Sequence, residues 1–257
     1  MTYSLIAKDA DGCIGLIVAS KFFACGAVVP YVSGTVAVAS QAFCNPIWGT
    51  EGRTRLIAGE SAKQVLKDLA VRDEGQAIRQ AHMMDAQGHF AAHTGEDCVD
   101  WAGHILRDCH SVAGNMLAGP RVLEATSAAY LASAALPFAE RLITAMVAGE
   151  QAGGDKRGRQ AAGLIIHRGE NHPWLDLRAD DHADPLAELA RLWDVAQERY
   201  VHFAKGMPSA DQFSGNPTRD TIDADITSAE QRRKAEGRAS RSHAVGAKAT
   251  SLATERY

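Results

Sequence analysis

Short extended segments come in pairs joined by tight turns, and groups of helices separate the pairs. Three pairs are clear: residues 2–7 with 13–19, residues 81–84 with 89–93, and residues 161–167 with 173–178. The connecting turns Asp9-Ala10-Asp11-Gly12 and Asp85-Ala86-Gln87-Gly88 have residues that favour hairpins. Paired hairpins predict antiparallel sheets, because parallel strands need a long crossover between them.

The predicted helices follow the hairpins rather than alternating with single strands. Ser61 can cap one helix, Pro120 and Pro137 can each occupy the first turn of another, and Asp184-Pro185 begins a fourth. This order predicts the α+β class. Two antiparallel sheets stacked face to face with helices outside, a four-layer αββα sandwich, would also bury both faces of the strand at 163–166.

Composition indicates a globular chain with one substantial core, since 46% of the 257 residues are hydrophobic and 23% are charged. The formal net charge of −4 argues against a general nucleic-acid partner. No apolar run approaches the roughly 20 residues of a membrane span, and no signal peptide is apparent. Five scattered cysteines are typical of reduced thiols. We therefore expect a cytoplasmic protein without nucleic-acid or membrane partners.

The chain divides into two regions of different composition. Residues 1–206 carry nearly all of the large apolar side chains and predict a single folded domain. Residues 207–257 are polar and partly basic, with few apolar anchors beyond Phe213, Ile222, Ile226 and Leu252. Such a segment buries little surface to offset its ordering entropy. We expect it to be disordered or loosely docked.

Thr2 is the first candidate for chemistry. A small residue after Met1 allows the initiator methionine to be removed, which would leave a hydroxyl and a free α-amine on the same residue. An α-amine titrates near pH ~8 and can accept the hydroxyl proton at neutral pH. Many ordinary chains also begin with Met-Thr, so this feature requires support from the rest of the sequence.

A glycine-rich, charged segment at 148–160 runs directly into a predicted buried strand. Its glycines permit positive φ angles, and Asp155, Arg157 and Gln160 can point towards a ligand or towards one another. An internal ion-pair network that holds the loop is the structural alternative. The segment does not match a phosphate-binding loop, because the glycine spacing differs and no Ser or Thr follows Lys156.

Several stretches resemble one family, in order, over most of residues 1–206. They are Thr2-Tyr3-Ser4, Val18-Ala19-Ser20-Lys21-Phe22-Phe23, Gly26-Ala27-Val28-Val29-Pro30, Ser40-Gln41-Ala42 with Asn45, Arg79-Gln80, Thr94-Gly95-Glu96-Asp97-Cys98, Trp101-Ala102-Gly103-His104, Gly114-Asn115-Met116-Leu117-Ala118-Gly119, the 153–160 loop, and Asp176-Leu177-Arg178-Ala179-Asp180-Asp181-His182. The chain is similar to the bacterial and archaeal domain of unknown function 1028, placed among the N-terminal-nucleophile (Ntn) hydrolase-like folds. The resemblance implies an αββα sandwich with a nucleophile at the start of the first strand, where Thr2 stands.

The remaining roles follow from what acyl transfer requires: a base, an oxyanion donor and groups that orient the substrate. Lys21 lies just past the strand paired to the first one, and its ammonium would keep the Thr2 amine unprotonated, unless it is only a solvated charge at the strand end. Asn45 or Asn115 can donate to an oxyanion, although either can instead satisfy backbone groups in a turn. The residues expected to contact or order the substrate are Ser20, Gln41, His104, Asp155, Arg157 and Gln160.

Rival sites have weaker patterns. Cys98, His104, Cys109 and His110 are metal-ligand types without the short paired spacing of structural zinc sites. His89 and His93 lie on a predicted strand, and Asp180-Asp181-His182 is better placed to cap a helix. A cysteine nucleophile at Cys25 or Cys44 has no obvious base nearby in sequence. We therefore expect no metal site.

Together these features predict an amidohydrolase that cleaves a small amide, lactam, imide or peptide-like C–N bond without a cofactor. The alternative is a non-catalytic small-molecule-binding or assembly protein on the same fold. Small residues at 125–135 also suggest helix or subunit contacts, so a homo-oligomer is possible.

Overall fold

The computed structural model of the protein describes residues 2–245. The strands are β1 (Thr2–Lys8), β2 (Ile14–Ser20), β3 (Pro30–Val32), β4 (Ala37–Ala42), β5 (Arg79–Met84), β6 (Phe90–Thr94), β7 (Gly103–Leu106), β8 (His110–Asn115), β9 (Ala161–His167) and β10 (Leu175–Ala179). The helices are α1 (Cys25–Val28), α2 (Pro46–Ile57), α3 (Ala62–Arg72), α4 (Arg121–Ala132), α5 (Phe138–Gln151), α6 (Pro185–Ala196), α7 (Tyr200–Ala204) and α8 (Asp220–Ala235). The expected removal of Met1 and the end of the expected tail, residues 246–257, lie outside the described residues.

Two antiparallel sheets form the centre of the fold, which confirms the α+β class. The six-stranded sheet has the order β10-β9-β2-β1-β8-β7, and the four-stranded sheet has the order β3-β4-β5-β6. β1 therefore lies in the interior of its sheet, between β2 and β8. Thr2 pairs with Asn115 of β8, and Tyr3 pairs with Ala19 of β2.

The predicted hairpin turns are confirmed, and two aspartates explain how they close. Asp9 Oδ1 accepts hydrogen bonds from the backbone N–H groups of Asp11 and Cys13. Asp85 Oδ1 does the same for Gln87 and His89 in the β5–β6 turn. Aspartate side chains favour turns because they satisfy these backbone donors locally.

The six-stranded sheet packs on helices with one face and on the four-stranded sheet with the other. On the helix side, Tyr3 and Leu5 of β1 pack in one cluster with Leu142 and Met146 of α5. Because successive strand residues point to opposite faces, Thr2, Ser4 and Ile6 of β1 face the second sheet instead. This alternation puts the Thr2 side chain between the sheets.

Two further apolar clusters complete the packing. Ile6 and Leu16 contact the cluster that contains Ala39 and Met84 of the second sheet. The opposite face of that sheet packs on α2 and α3, in a cluster that includes Val38, Met83, Trp48 and Leu69. Each such buried large side chain contributes roughly 1.5–3 kcal/mol to folding relative to an exposed one.

The elements not predicted from the sequence include α2 and β7. α2 lacks a continuous apolar stripe because Gly49 and Gly52 occupy part of its buried face. A Cβ at Gly49 would overlap the ring of Tyr31, so the close approach of helix and strand requires glycine there. The Asn45-Pro46 start was the available signal, since Asn is a preferred N-cap and Pro a preferred first helical residue.

The small residues of α4 form a helix contact. Thr126 and Ser127 are buried, and Gly149 of α5 lies against the Thr126 side chain. Small residues let the two helix backbones approach closely. The contact with a second copy of the chain stays a prediction.

Within the polar region after residue 206, residues 220–235 form α8, which docks on the rest of the fold through a few buried residues. Ile226 and Ala229 are buried, and the Arg233 guanidinium donates to both carboxylate oxygens of Asp194 at 3.1 Å. This pairing lowers the pKa of the Asp194 carboxyl. Composition did not indicate the docking because it includes an ion pair with a carboxylate of α6, which is distant in sequence.

The helices among residues 2–245 are short. The longest in the described range, α8, has 16 residues, which corresponds to about 24 Å of helix. A bilayer core is about 30 Å thick. Among residues 2–245, no helix has the length and apolar character that a transmembrane span requires.

Candidate functional site

Thr2 begins β1 at the polar end of the space between the sheets. Its side chain is almost fully buried, with 5% of the residue exposed. The Thr2 hydroxyl lies 3.2 Å from the Ser20 hydroxyl at the end of β2. The antiparallel pairing of β1 and β2 causes this contact, because it brings the start of one strand to the end of the other. The expected neighbours Thr2 and Ser20 are therefore in direct contact.

Asn115 occupies the other side of Thr2, at the end of β8. Its Nδ2 lies 3.4 Å from the Thr2 carbonyl oxygen and donates at 3.0 Å to Gln80 Oε1. The first of these distances is long for an N–H···O hydrogen bond, so this N–H group is weakly engaged. An amide donor buried beside a hydroxyl is suited to bind a carbonyl oxygen.

Gln80 of β5 connects Asn115 with the second sheet. Gln80 Oε1 accepts from Asn115 and, at 2.8 Å, from Gln41 Nε2 of β4. Gln80 Nε2 lies within hydrogen-bond distance of the Thr94 hydroxyl and of the Gly114 carbonyl oxygen. These contacts fix which end of each amide is the donor. The Asn115 amide is therefore held in one orientation.

The hydrogen bonds continue from Gln41 to a fully buried histidine, His82. Ser4 Oγ donates to Gln41 Oε1 at 2.7 Å and lies 2.8 Å from His82 Nε2. Since the single Ser4 hydroxyl proton is used for Gln41, His82 Nε2 carries the proton in that contact, and Nδ1 accepts from Ser111. Burial lowers the pKa of His82 to about 3, with a smaller contribution from His104. The ring is neutral near pH 7 and acts as part of a fixed network.

The charged loop folds against the ends of β2 and β8. Asp155 Oδ2 accepts from the Lys21 backbone N–H, and Asp155 Oδ1 accepts from the Arg157 backbone N–H, both at 2.8 Å. Leu117, just after β8, forms an isolated β-bridge with Asp155. The Lys21 ammonium donates to the Arg157 carbonyl oxygen at 2.9 Å. The loop thus holds the Asp155 carboxylate against the backbone of Lys21, the residue after Ser20. The Lys21 ammonium contacts the loop.

Three other residues expected to contact the substrate, Gln160, His104 and Arg157, each bond to a residue of the network around Thr2. Gln160 donates its backbone N–H to the Ser20 carbonyl oxygen at 3.0 Å, and its side chain donates to Asp181. His104 of β7 lies 3.0 Å from the Thr94 hydroxyl. Partial desolvation, and then the nearby His93, lower the pKa of His104. The guanidinium of Arg157 contacts Asp155 at 3.4 Å.

Asn45 stands apart from this group. Its Oδ1 accepts from the Ile47 backbone N–H and caps α2, and its Nδ2 donates to Asp73 at 2.8 Å. Both polar atoms of the side chain are engaged in structural contacts. The structure therefore does not place Asn45 as an oxyanion donor, and Asn115 is the better candidate.

Backbone strain concentrates near the same end of the sheets. The three non-glycine residues with positive φ in the described range are Ala24, Ala42 and Met116, at 53°, 64° and 50°. Ala42 follows Gln41, and Met116 follows Asn115. Such conformations cost on the order of 1 kcal/mol or more and occur often at functional sites. β8 ends at Asn115 because the chain turns at Met116.

Comparison with known proteins identifies one family. The model of the Family of unknown function (DUF1028) matches residues 2–189. The chain belongs to this family. The crystal structure of protein SPO2555 from Silicibacter pomeroyi, also assigned to DUF1028, superposes with a TM-score of 0.77 at 30% sequence identity. The match covers 83% of this chain and 98% of that one. No curated protein matches the chain.

The DUF1028 match includes all of the site residues described above and ends before α8. Sequence reasoning missed five network members as functional candidates, namely Ser4, Gln80, His82, Thr94 and Ser111. The strand alternation was the available signal for Ser4, because it places Ser4 on the same face as Thr2. The other members bond across the space between the two sheets. Their contacts depend on which strands face each other, and no local sequence pattern shows this.

The rival sites find no support in the geometry. Within residues 2–245, no group of three or more His, Cys, Asp or Glu side chains is arranged to hold a metal ion. Burial raises the pKa of the Cys25 thiol to about 12, and burial also raises that of Cys44. A thiol with a raised pKa is a poor nucleophile because little thiolate forms.

Proposed function

We propose that this DUF1028 protein is an N-terminal-nucleophile amidohydrolase with a four-layer αββα sandwich. Thr2 is the nucleophile, and the substrate is a small amide, lactam, imide or peptide-like compound. The observation that carries the proposal is the position of Thr2 at the polar end of the sheets, where its hydroxyl lies 3.2 Å from the Ser20 hydroxyl and its carbonyl oxygen lies 3.4 Å from the Asn115 amide nitrogen. The two outer helix groups and the two stacked sheets support the sandwich.

The proposed reaction has two steps. The Thr2 hydroxyl attacks the substrate carbonyl carbon while its own α-amine accepts the hydroxyl proton. The C–N bond then breaks, the nitrogen leaves with that proton, and an ester to Thr2 Oγ1 remains. Water attacks the ester and releases the acid. The α-amine must be free for these steps, so the active form has to begin at Thr2.

Asn115 has the role of oxyanion donor in this mechanism. Gln80 Oε1 accepts one N–H group of its amide, and the other N–H group, which is only weakly bonded to the Thr2 carbonyl oxygen, is available to a substrate oxygen beside Thr2. Removal of one such donor typically costs about 10²–10³ in turnover. Asp155 orders the loop that closes the site, and Ser20 and Gln160 line its β2 side.

The apolar side chains beside the site indicate what the substrate carries. Phe22 and Phe23 follow Ser20 and Lys21, Phe43 follows Gln41, and all three are more than half exposed, at 54%, 62% and 69%. The contact of Ser4 with Gln41 shows that β2 and β4 end at the same edge of the two sheets. We infer that the substrate has an apolar group beside its C–N bond.

The test begins with the intact mass of the purified protein, which is expected to lack Met1. A β-lactone probe then reports the nucleophile without knowledge of the substrate, because an activated hydroxyl opens the lactone and keeps the acyl group. Peptide mass spectrometry is expected to locate the adduct on Thr2. Thr2→Ala should abolish it, and Thr2→Ser should retain part of the rate. Thr50→Ala is the matched control, since Thr50 is an exposed threonine on α2.

Two results contradict the proposal: a protein that keeps Met1 yet hydrolyses an amide, or a Thr2→Ala variant labelled as fast as the parent. The burial of Thr2 favours the second candidate function, a binding or assembly protein in which the Thr2–Ser20 contact is structural. That alternative predicts that the β-lactone does not label the parent protein. It also predicts that the Thr2→Ala protein folds and binds ligands as the parent does.

A further inference from the structure

A cavity lies at the opposite end of β1 from Thr2. Its volume is about 570 Å³, within the range of small-molecule sites. The β1–β2 turn forms one wall, and the segment after β9 forms another. Six residues of extended strand separate Thr2 from Lys8, so the two sites are about 20 Å apart. The cavity is therefore separate from the proposed catalytic site.

Aromatic rings form the apolar part of this cavity. Trp174 and Trp193 meet edge to face, with ring centroids 6.1 Å apart, and Phe138 of α5 also contributes to the lining. Trp193 Nε1 donates to Glu140, which fixes the indole ring. Rings held in this way provide a rigid apolar surface for a flat or branched group of similar size.

Arg168 supplies the positive charge of the cavity. Its guanidinium carbon lies 3.4 Å from the centroid of the Trp174 ring, in a stacked cation–π contact. Among residues 2–245, no hydrogen bond or ion pair to a carboxylate engages its N–H groups. A stacked guanidinium keeps its N–H edges free, and these edges match the two oxygens of a carboxylate.

Two carboxylates supply the opposite charge in the β1–β2 turn. Asp9 and Asp11 line the same cavity as Arg168. Asp9 Oδ1 accepts two backbone hydrogen bonds, which orient the carboxylate. Burial, and then the charge of Asp9, raise the pKa of Cys13 to about 11, so this thiol adds no charge near pH 7.

We propose that this cavity binds an aromatic zwitterion of the amino-acid type. The ligand carboxylate pairs with Arg168, its ammonium lies at Asp9, and its ring contacts Phe138 and Trp174. A simple anion would face two carboxylates in the turn, and a simple cation would face Arg168. A ligand with both charges can pair with Arg168 and with Asp9 at the same time, which is why the zwitterion is favoured.

The test uses three probes that share a phenyl ring and a short chain: L-phenylalanine, 3-phenylpropanoate and 2-phenylethylamine. Each is titrated into the full-length protein at neutral pH, followed by calorimetry and by tryptophan fluorescence. Two of the four tryptophans line the cavity, so occupancy should change the emission. L-Phenylalanine should bind at one site per chain, about 10-fold or more tightly than either singly charged probe.

Variants assign the binding to the cavity. Arg168→Gln should weaken L-phenylalanine about 10- to 100-fold, and Asp9→Asn, which keeps the turn acceptor but removes the charge, should weaken it about 10-fold. Arg219→Gln, an exposed arginine at the start of α8, is the matched control and should change nothing. Arg168→Gln should also leave β-lactone labelling of Thr2 unchanged, which separates this proposal from the proposed function.

The proposal is overturned if the protein shows no saturable L-phenylalanine binding, or if all three probes bind equally. Unchanged affinity in Arg168→Gln would also overturn it, because binding would then occur elsewhere. Circular dichroism of each variant confirms that a lost signal is not due to unfolding.

Discussion

The two ends of the space between the sheets differ sharply in chemistry, although the same strands form both. The end near the β1–β2 turn is apolar, and it contains Ile6, Ile14, Leu16 and Met84. The end near Thr2 is polar, and its buried members are Thr2, Ser4, Ser20, Gln41, Gln80, His82, Ser111 and Asn115. Both ends are almost inaccessible to solvent.

This difference indicates that the apolar end stabilises the fold, whereas the polar end holds the side chains around Thr2 in place. The apolar end contributes free energy of folding in proportion to the area it removes from water. Buried amides and hydroxyls contribute little in net terms and cost about 1–3 kcal/mol each when unpaired. None of the polar side chains near Thr2 is among the described buried groups that lack a partner, which include Ser33, Tyr130 and His167. A fully paired polar network instead holds side chains in one orientation.

The largest expected effect tests the polar end. Asn115→Ala removes the proposed oxyanion donor, so labelling of Thr2 by the β-lactone, or turnover of an amide substrate, should fall about 10²–10³-fold. The melting temperature should fall much less than in a core variant, because only one long and one normal hydrogen bond are lost. Asn171→Ala, at an exposed position in the β9–β10 connection, is the control. Undiminished labelling of Asn115→Ala would exclude the oxyanion role.

The apolar end should respond in the opposite way. Leu16→Ala leaves a cavity between the sheets and is expected to lower the free energy of unfolding by about 2–5 kcal/mol. The rate of Thr2 labelling per folded molecule should stay near that of the parent. Denaturant unfolding and labelling, measured on the same sample, check both expectations. Equal losses of labelling and stability would show that the two ends are not separable.

A pH titration tests His82, which lies where the two ends meet. The pKa of His82 is about 3 in the folded protein and about 6.5 when unfolded, so the unfolded state binds more protons between these values. The stability that depends on the neutral ring is complete above pH ~6.5 and is lost as the pH falls towards 3. The expected loss at pH 5 is about 2 kcal/mol relative to pH 7.

His82→Gln removes this titration and should flatten that part of the stability curve. His110, whose pKa burial lowers to about 4, gives a similar acid dependence in both proteins and does not obscure the difference. Urea midpoints at pH 7 and pH 5 for parent and variant provide the measurement. Identical pH dependence in the two proteins would mean that the pKa of His82 is not lowered in the folded protein.

Much of the fold could be predicted from the sequence, but less of the site. The turns at Asp9 and Asp85 encode their hairpins locally, and these predictions are confirmed. The contact of Thr2 with Ser20 follows from the first hairpin alone. The role of Gln80 could not be predicted, because it depends on which strand of the second sheet faces Asn115. Non-local packing, rather than any local residue pattern, determines that pairing.

Asn45 gives the smallest expected effect and separates a helix cap from a site residue. Asn45→Ala removes the hydrogen bond to the Ile47 N–H and the one to Asp73, and an N-cap of this kind contributes about 1 kcal/mol. The free energy of unfolding should fall by about that amount, and Thr2 labelling should not change. Asn45→Asp retains the cap acceptor but brings a second carboxylate to Asp73, so it should recover little of the loss. A fall in labelling of about 10-fold or more with Asn45→Ala would return Asn45 to the site and show that α2 contributes directly to the polar end.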